Sequence, residues 1–232
     1  MSAEEDLGRP LLVAEDLVKS FGVTRALDGA SLRVFPGEVL ALTGPSGSGK
    51  STLLHCLSGV IAPDSGRVGY AGHDVAAMSD RQRSALRRSA FGFVFQFGQL
   101  VPELTCLENV ALPLRLAGAR RATASARAAE LLDRLEVADV ADKRPGQASG
   151  GQGQRVAVAR ALITEPRVIF ADEPTGALDS RNGERVMRLL IAAAKERGAA
   201  VVLVTHEAQI ASFADREAVF RDGKVAGSAM AR

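Results

Sequence analysis

The chain has 232 residues, of which 47% are hydrophobic and 24% are charged, and its formal net charge at pH 7 is +2. That length suits one domain with room for an inserted subdomain, and so small a net charge gives no reason to expect nucleic acid as a partner. Two cysteines are too few for a disulfide framework and are compatible with a reducing compartment.

The first residues do not follow the pattern of a secretion signal. Residues 1–6, Met-Ser-Ala-Glu-Glu-Asp, are acidic where such a signal would be basic and then apolar. No uninterrupted apolar run in the sequence approaches the roughly 18–20 residues that a membrane-spanning helix needs. We therefore expect a cytoplasmic chain that reaches a membrane only through a partner.

Hydrophobic patterning predicts strands and helices along the first part of the chain. In chain order these are an antiparallel strand layer at 11–34, a buried strand at 39–43, a helix at 51–57, a short hairpin at 66–72, an arginine-rich helix at 80–88 and an apolar strand at 91–95.

The following seventy residues show no strand signal, and apolar spacing of i, i+3, i+4 predicts helices at 107–116, 124–135 and 154–163. The strand pattern then returns. The last predicted elements are a central parallel strand at 168–171, a helix at 184–196, a strand at 200–204 and an Asp-Gly hairpin at 218–225. We therefore predict an α/β core formed by residues 1–96 and 166–232, with an inserted α-helical subdomain at 97–165.

A glycine-rich loop between the strand at 39–43 and the helix at 51–57 fits a phosphate-binding pattern, a Gly followed by four free positions and Gly-Lys-Ser. A loop with little side-chain bulk lets several backbone N–H groups converge on a phosphate, which also faces the positive end of the next helix. Lys50 can reach the β- and γ-phosphates, and the Ser51 hydroxyl can hold Mg²⁺. The predicted residues binding a nucleoside triphosphate here are Gly44, Pro45, Ser46, Gly47, Ser48, Gly49, Lys50, Ser51 and Thr52.

Polar side chains follow several of the predicted core strands. Asp172 and Glu173 come directly after one of them, and ligands of open α/β sheets bind beyond the carboxyl ends of the strands. Asp172 is therefore predicted to share Mg²⁺ with Ser51, and Glu173 to orient or deprotonate the attacking water. His206 could contact the γ-phosphate or position that water, and Gln96 could reach Mg²⁺ or water.

Two further features have alternative interpretations on the residues alone. Phe21 closes an apolar run and is either a core aromatic or a platform on which an adenine ring stacks. Ser149-Gly150-Gly151-Gln152 is a second glycine-rich turn that opens a helix. It is either an interdomain turn, which the residues alone favour, or a helix N-terminus that binds the phosphates of a nucleotide carried by another subunit.

Together these residues resemble the ATP-binding subunits of ABC transporters, nearly from end to end of the chain. Residues 44–51 match the Walker A loop, residues 168–173 match the Walker B strand with its catalytic glutamate, and Gln96 falls at the Q-loop. The resemblance implies a P-loop NTPase core of the RecA-like type, with an antiparallel β layer and an inserted helical subdomain. It also implies that ATP and Mg²⁺ are bound.

The resemblance decides the two ambiguous features. Residues 148–152, Ala-Ser-Gly-Gly-Gln, are similar to the family signature, so that turn is expected to bind the nucleotide of a second copy. Phe21 falls where an adenine-stacking aromatic is expected. Asp179 lies in the D-loop at 177–180, and His206 matches the switch histidine.

Within the family, the runs at 92–96, 108–114 and 171–179 look like the macrolide-export and lipoprotein-release branch, which also includes antimicrobial-peptide export and cell-division members. The chain departs from the usual pattern in having Ala148 in place of the signature Leu, Gly153 in place of a longer polar residue, and Phe21 in place of Tyr. None of these departures removes a catalytic group.

The resemblance implies an ATPase that forms ADP and phosphate and powers a separate transmembrane permease, from the inner face of the membrane. It also implies a head-to-tail dimer, and we expect the permease to dock beside Gln96, Phe97 and residues 100–107. One alternative is an ABC-type ATPase acting on DNA or ribosomes, although such proteins usually carry long coiled coils or tandem ATPase domains. The other is a regulatory module that binds ATP with little turnover, which intact Glu173 and His206 argue against.

Overall fold

Two β-sheets share one apolar core in the computed structural model, which describes residues 8–230. The strands are β1 (Leu12–Phe21), β2 (Thr24–Val34), β3 (Val39–Thr43), β4 (Ser65–Tyr70), β5 (His73–Asp74), β6 (Phe91–Phe95), β7 (Val168–Asp172), β8 (Ala200–Val204), β9 (Arg216–Arg221) and β10 (Lys224–Met230). The helices are α1 (Lys50–Leu57), α2 (Asp80–Ser89), α3 (Cys106–Leu116), α4 (Arg121–Arg134), α5 (Gly150–Leu162), α6 (Ser180–Glu196) and α7 (Ala208–Ala211).

The larger sheet places the carboxyl ends of five parallel strands along one edge. Its order is β10-β9-β3-β8-β7-β6, with β10 antiparallel at one side. The smaller sheet, in the order β2-β1-β4-β5, is entirely antiparallel, as the alternating pattern at 11–34 predicts. The segments that follow β3, β7 and β8 therefore emerge side by side at the same edge.

Alternate residues of the central strands face two different cores. In β3, Leu40 and Leu42 contact the core shared with the smaller sheet and α1, whereas Val39 and Ala41 contact the core formed with the helices on the opposite face. This arrangement explains why the central strands are apolar throughout, because both faces of a parallel sheet are covered.

Helices α3, α4 and α5 occupy the chain between β6 and β7, where the sequence predicts only helices. They pack on one another, and α5 also packs on β6 and α6. Gly92 of β6 allows α5 to pack closely on the strand, because a Cβ at position 92 would lie 2.4 Å from the carbonyl oxygen of Ala161 in α5. The exact limits of a helical subdomain at 97–165 stay a prediction. No helix within residues 8–230 is long and apolar enough to cross a membrane.

Two helices begin four residues earlier than the apolar periodicity predicts. The first turns of α5 and α6 are polar or glycine-rich, so they carry no periodic signal. Their starts are fixed instead by N-cap side chains: Ser149 accepts the Gln152 N–H, and Asp179 accepts the Asn182 N–H.

The hairpin predicted at 66–72 differs from the structure, because β4 pairs mainly with β1 and its second partner is the two-residue β5. Ala71 and Gly72 have positive φ angles and form the turn, so the second strand begins only after it. The hairpin predicted at 218–225 is confirmed, with Asp222 and Gly223 as its turn residues.

A buried ion pair joins the start of β9 to the residue before β3. Arg216 Nε donates to Glu38 Oε1 at 2.6 Å, and each side chain is 5% exposed. The second Glu38 oxygen accepts the Phe35 N–H at 2.8 Å, and the guanidinium also donates to the Arg33 carbonyl. The pair thus connects the end of the antiparallel layer to the parallel sheet.

We expect Glu38→Ala to lower the free energy of unfolding by about 3–5 kcal/mol, because it removes a buried carboxylate that binds both the Arg216 guanidinium and the Phe35 N–H. Urea unfolding followed by circular dichroism measures this loss. Glu196→Ala, which removes an exposed ion pair with Arg134, is the control and should cost less than about 1 kcal/mol. The double variant Glu38→Leu, Arg216→Met should lose less than Glu38→Ala, and a larger loss would contradict this explanation.

Candidate active site

The phosphate-binding loop is wedged between two backbones at the carboxyl edge of the parallel sheet. It leaves β3 and enters α1, and its glycines allow contacts that no side chain would permit. A Cβ on Gly44 would lie 2.0 Å from the Phe220 carbonyl oxygen, and a Cβ on Gly49 would lie 2.1 Å from the Ala26 carbonyl oxygen. Both glycines also have positive φ angles, 135° and 106°. The motif therefore needs glycine at these positions for packing as well as for phosphate access.

Lys50 holds its charge over the loop. Its side chain is 6% exposed, and Nζ donates to the carbonyl oxygens of Gly44 at 2.9 Å and Pro45 at 2.7 Å. These bonds stabilise the ammonium group at the mouth of the loop, where it can meet the oxygens of a phosphate.

Ser51 and Asp172 form an oxygen pair that fits the requirements of Mg²⁺. Ser51 Oγ, in the first turn of α1, donates to Asp172 Oδ1, at the end of β7, at 3.0 Å. Mg²⁺ is commonly held by one or two protein oxygens together with substrate phosphates, and this pair lies beside the phosphate-binding loop. The described residues contain no cluster of three or more His, Cys, Asp or Glu side chains that would hold a metal by themselves.

Glu173 and His206 meet across the ends of β7 and β8. His206 Nδ1 lies 2.8 Å from Glu173 Oε1, and the Glu173 N–H donates to the Val204 carbonyl at 3.0 Å. Glu173 has a φ of 47°, and its other oxygen, Oε2, is buried without a hydrogen-bond partner within residues 8–230. A buried carboxylate oxygen without a hydrogen bond, at a residue with a positive φ, lowers the stability of the fold. Such features are typical of functional positions.

The hydrogen bond and the negative charge of Glu173 raise the pKa of the His206 imidazole above its ordinary value. The protonated ring is therefore favoured in the folded chain. This contribution to stability is present below the pKa of the unfolded chain and disappears as the pH rises through the folded pKa.

A cleft of about 780 Å³ brings most of the predicted site residues together. The predicted residues that line it are Gly44, Pro45, Ser46, Gly47, Gly49, Lys50, Ser51, Thr52, Gln96, Glu173 and His206. Ser48 belongs to the same loop, and its carbonyl accepts the Gly223 N–H at 3.1 Å. The cleft therefore combines a phosphate loop, a possible Mg²⁺ site and a free carboxylate oxygen.

Sequence reasoning missed one wall of this cleft, formed by Thr24, Arg25 and Ala26 at the start of β2. These residues match no motif, and only the folded proximity of β2 to the phosphate loop identifies them. The alternation that predicts the antiparallel layer locates the strand but not its contact with the loop.

Phe21, the glycine-rich turn at 149–152 and Asp179 do not line this cleft. Phe21 is half exposed, with Lys19 Nζ 5.7 Å from its ring centroid. Ser149 and Gly150 line a second cleft of about 270 Å³, together with Gln96 and Leu178. Gln96 thus faces both clefts.

The fold and the cleft define a P-loop nucleoside triphosphatase, because the phosphate loop leaves a central parallel strand and faces acidic groups at the end of β7, two strands along the sheet. Comparison with protein families matches the ABC transporter family over residues 27–176, and the chain belongs to that family.

Curated relatives and solved structures agree with this membership. The lipoprotein-releasing system ATP-binding protein LolD of Bacteroides fragilis is 44% identical over 211 residues, covering 91% of this chain and 98% of the relative. The macrolide export ATP-binding/permease protein MacB of Marinobacter nauticus is 43% identical over 221 residues, covering 94% of this chain and 34% of the relative. A dimeric bacterial ABC transporter cassette superimposes with a TM-score of 0.89 at 38% identity, covering 95% of this chain and 99% of that chain.

The comparisons confirm the predicted family and its macrolide-export and lipoprotein-release branch. They also confirm the fold class and the activity, an ATP-binding and ATP-hydrolysing subunit that uses Mg²⁺. The predicted partners, a second copy and separate permease subunits, are confirmed at the level of the family. The roles of individual site residues stay predictions.

We expect Glu173→Gln to lower the pKa of His206, because glutamine removes the charge and the strongest acceptor of the imidazole. NMR titration of the His206 ring measures this shift. Glu207→Gln is the matched control, since Glu207 raises the same pKa less, through its charge alone. Equal shifts in the two variants would contradict the assigned cause.

Proposed function

We propose that the 780 Å³ cleft hydrolyses ATP with the residue roles predicted from the sequence, and that the chain thereby powers a membrane permease. The observation that carries this proposal is that the phosphate loop, Ser51 and Glu173 line one cleft, with Asp172 hydrogen-bonded to Ser51 and with one Glu173 oxygen unpartnered among residues 8–230. Each component supplies a different requirement of phosphoryl transfer.

Binding is assigned to the phosphate loop. Backbone N–H groups of residues 46–51 surround the phosphates, and Lys50 transfers its hydrogen bonds from the loop carbonyls to phosphate oxygens. Ser51, Asp172 and Gln96 would hold Mg²⁺, which when bound neutralises charge on the phosphate oxygens. Phe21 supports the adenine ring from the edge of the smaller sheet, where it is half exposed.

Glu173 is the general base. Its free Oε2 accepts a proton from water while the water oxygen bonds to the γ-phosphorus, and the bond from that phosphorus to the bridging oxygen breaks to give ADP and phosphate. His206 fixes the orientation of the carboxylate through Oε1 and leaves Oε2 without a hydrogen-bond partner among residues 8–230. The proton then leaves Glu173 for solvent, and the base is restored.

The signature turn completes the site in a dimer. Ser149, Gly150, Gly151 and Gln152 lie outside the cleft of their own chain, so a second copy packed head to tail can present them to the nucleotide held by the first. Asp179 lies beside the signature turn. It accepts a hydrogen bond from the Asn182 side chain, which lies within contact distance of Gly151. Two ATP molecules are then enclosed between two chains.

We expect Glu173→Gln to retain ATP binding but to lower turnover by roughly 10²–10⁴-fold, the usual contribution of a general base. Phosphate release measures turnover, and a fluorescent ATP analogue measures binding. Glu184→Gln, at a partly exposed position of α6, is the control and should leave both unchanged. Turnover of Glu173→Gln within about threefold of the parent would place the base elsewhere.

The cellular role follows from the relatives in coarse outline. LolD is described as part of a lipoprotein-releasing system and MacB as a macrolide export protein, so we assign this chain to export or to extrusion from a membrane. We place it on the cytoplasmic face, where ATP is available, attached through a pair of permeases.

An apolar groove of about 540 Å³, lined by residues of α2, β6, α3 and the end of α5, is the docking surface that we propose for the permease in place of the region beside Phe97. It lies between α2, β6 and α3, and Val60, Phe93, Leu112 and Leu116 line it. The side chain of Leu116 is 65% exposed. Phe97, by contrast, lines the smaller cleft beside the signature turn.

We expect Leu116→Asp to abolish co-purification with the permease from membranes while leaving basal ATP hydrolysis within twofold of the parent, because the change affects only the groove. Val23→Asp, in the exposed turn between β1 and β2, is the control and should have no effect on either measurement. If Phe97→Asp releases the permease and Leu116→Asp does not, docking belongs to the region first predicted beside Gln96.

A further inference from the structure

An acidic side chain outside the family motifs holds the amide of the signature glutamine. Gln152 Nε2 donates to Asp139 Oδ2 at 2.9 Å, and Gln152 Oε1 accepts the Ser149 N–H at 2.9 Å. Asp139 lies in a short 3-10 turn at residues 138–140, between α4 and α5, and is exposed. The two bonds use both ends of one amide group.

These bonds select one of the two orientations of the amide. Rotating the Gln152 amide by half a turn would bring its NH₂ group against the Ser149 N–H, and its oxygen against the Asp139 carboxylate. Both pairings are repulsive, because donor would face donor and acceptor would face acceptor. Asp139 therefore stabilises the orientation that closes the N-cap of α5.

A second helix N-cap in the same chain, at α2, shows how the glutamine amide bonds where no acidic side chain holds it. At the start of α2, Ser79 and Gln82 form the same reciprocal cap, and the Ser79 hydroxyl donates to Gln82 Oε1 at 2.8 Å. The corresponding bond from the Ser149 hydroxyl to Gln152 is not formed within the described part of the chain. The Ser149 hydroxyl hydrogen thus stays available to an incoming acceptor such as a phosphate oxygen.

The opposite side of the turn is held as well. A Cβ on Gly151 would lie 3.3 Å from the side chain of Asn182, which Asp179 binds at its backbone N–H and at Nδ2. The turn is therefore supported between Asp139 on one side and α6 on the other. Loss of the Asp139 contact leaves Gln152 free to rotate, while the contact with α6 remains.

We propose that Asp139 is a positioning residue for the signature turn: it fixes Gln152 so that Ser149 can bind the nucleotide held by the second copy. This inference rests on the proposed function, since it needs the turn to act across a dimer. Asp139 itself touches neither substrate nor metal, and it acts only through Gln152.

The test measures ATP-driven dimerisation of the full chain in the Glu173→Gln background, by light scattering across a concentration series with ATP and Mg²⁺. We expect Asp139→Leu to raise the dimer dissociation constant about three- to tenfold, the range of one net hydrogen bond. Asp142→Leu, at an exposed acid just after that turn, is the control and should leave the constant unchanged. Binding of a fluorescent ATP analogue to the monomer should be the same in all variants, which a general loss of folding would not allow.

Two further variants separate positioning from other effects. Asp139→Asn keeps an acceptor oxygen and should recover at least half of the loss. In a Gln152→Ala background, Asp139→Leu should have no additional effect, because the residue through which it acts is gone.

Three results would overturn the inference: equal dimerisation of Asp139→Leu and Asp142→Leu, no recovery with Asp139→Asn, or an undiminished effect of Asp139→Leu in Gln152→Ala. Failure of the Glu173→Gln parent to dimerise with ATP would instead refute the proposed function. Dimerisation of the Glu173→Gln parent, measured alone, therefore distinguishes failure of the proposed function from failure of the inference about Asp139.

Discussion

The backbones of β9 and β2 lie in close contact with the phosphate loop, and the rest of the site depends on this constraint. Gly44 lies against Phe220 of β9, and Gly49 lies against Ala26 of β2, with no room for a side chain at either contact. The Gly223 N–H also donates to the Ser48 carbonyl. The loop is therefore shaped by segments almost two hundred residues apart in sequence, and its geometry can form only after both sheets have assembled.

Once the loop is fixed, the parallel sheet determines what can reach it. β7 and β8 end beside β3, so Asp172, Glu173 and His206 are delivered to one edge by strand order alone. Gln96, at the end of β6, lines both the nucleotide cleft and the smaller cleft beside the signature turn. A change in the position of the Gln96 amide would therefore alter both clefts. Gln96 thus links the nucleotide cleft physically to the helical region.

Features encoded locally could be predicted from the sequence. The phosphate loop and the apolar strands depend on neighbours within a few residues, and so does the turn at Asp222 and Gly223, which is why they are found where the patterns place them. The starts of α5 and α6 could not be located by periodicity, since their first turns contain only glycine and polar residues and are fixed by caps.

Contacts between distant segments were beyond sequence reasoning. Glu38 and Arg216 are 178 positions apart and belong to no motif, and only the pairing of β3 with β9 brings them together. The wall formed by residues 24–26 has the same origin, whereas Asp139 and Gln152 are only 13 positions apart but share no motif. Family resemblance supplied the role of the signature turn, which its own residues left undecided.

The hydrogen bonds of Lys50 have a consequence for how the cycle ends. Its ammonium group is satisfied by the carbonyl oxygens of Gly44 and Pro45 when no phosphate competes for it. A departing phosphate is therefore replaced at once by partners that belong to the loop, and the lysine need not be left bare in a buried setting. Gly44 and Pro45 thus supply hydrogen-bond acceptors that substitute for phosphate oxygens, so product release does not deprive Lys50 of its partners.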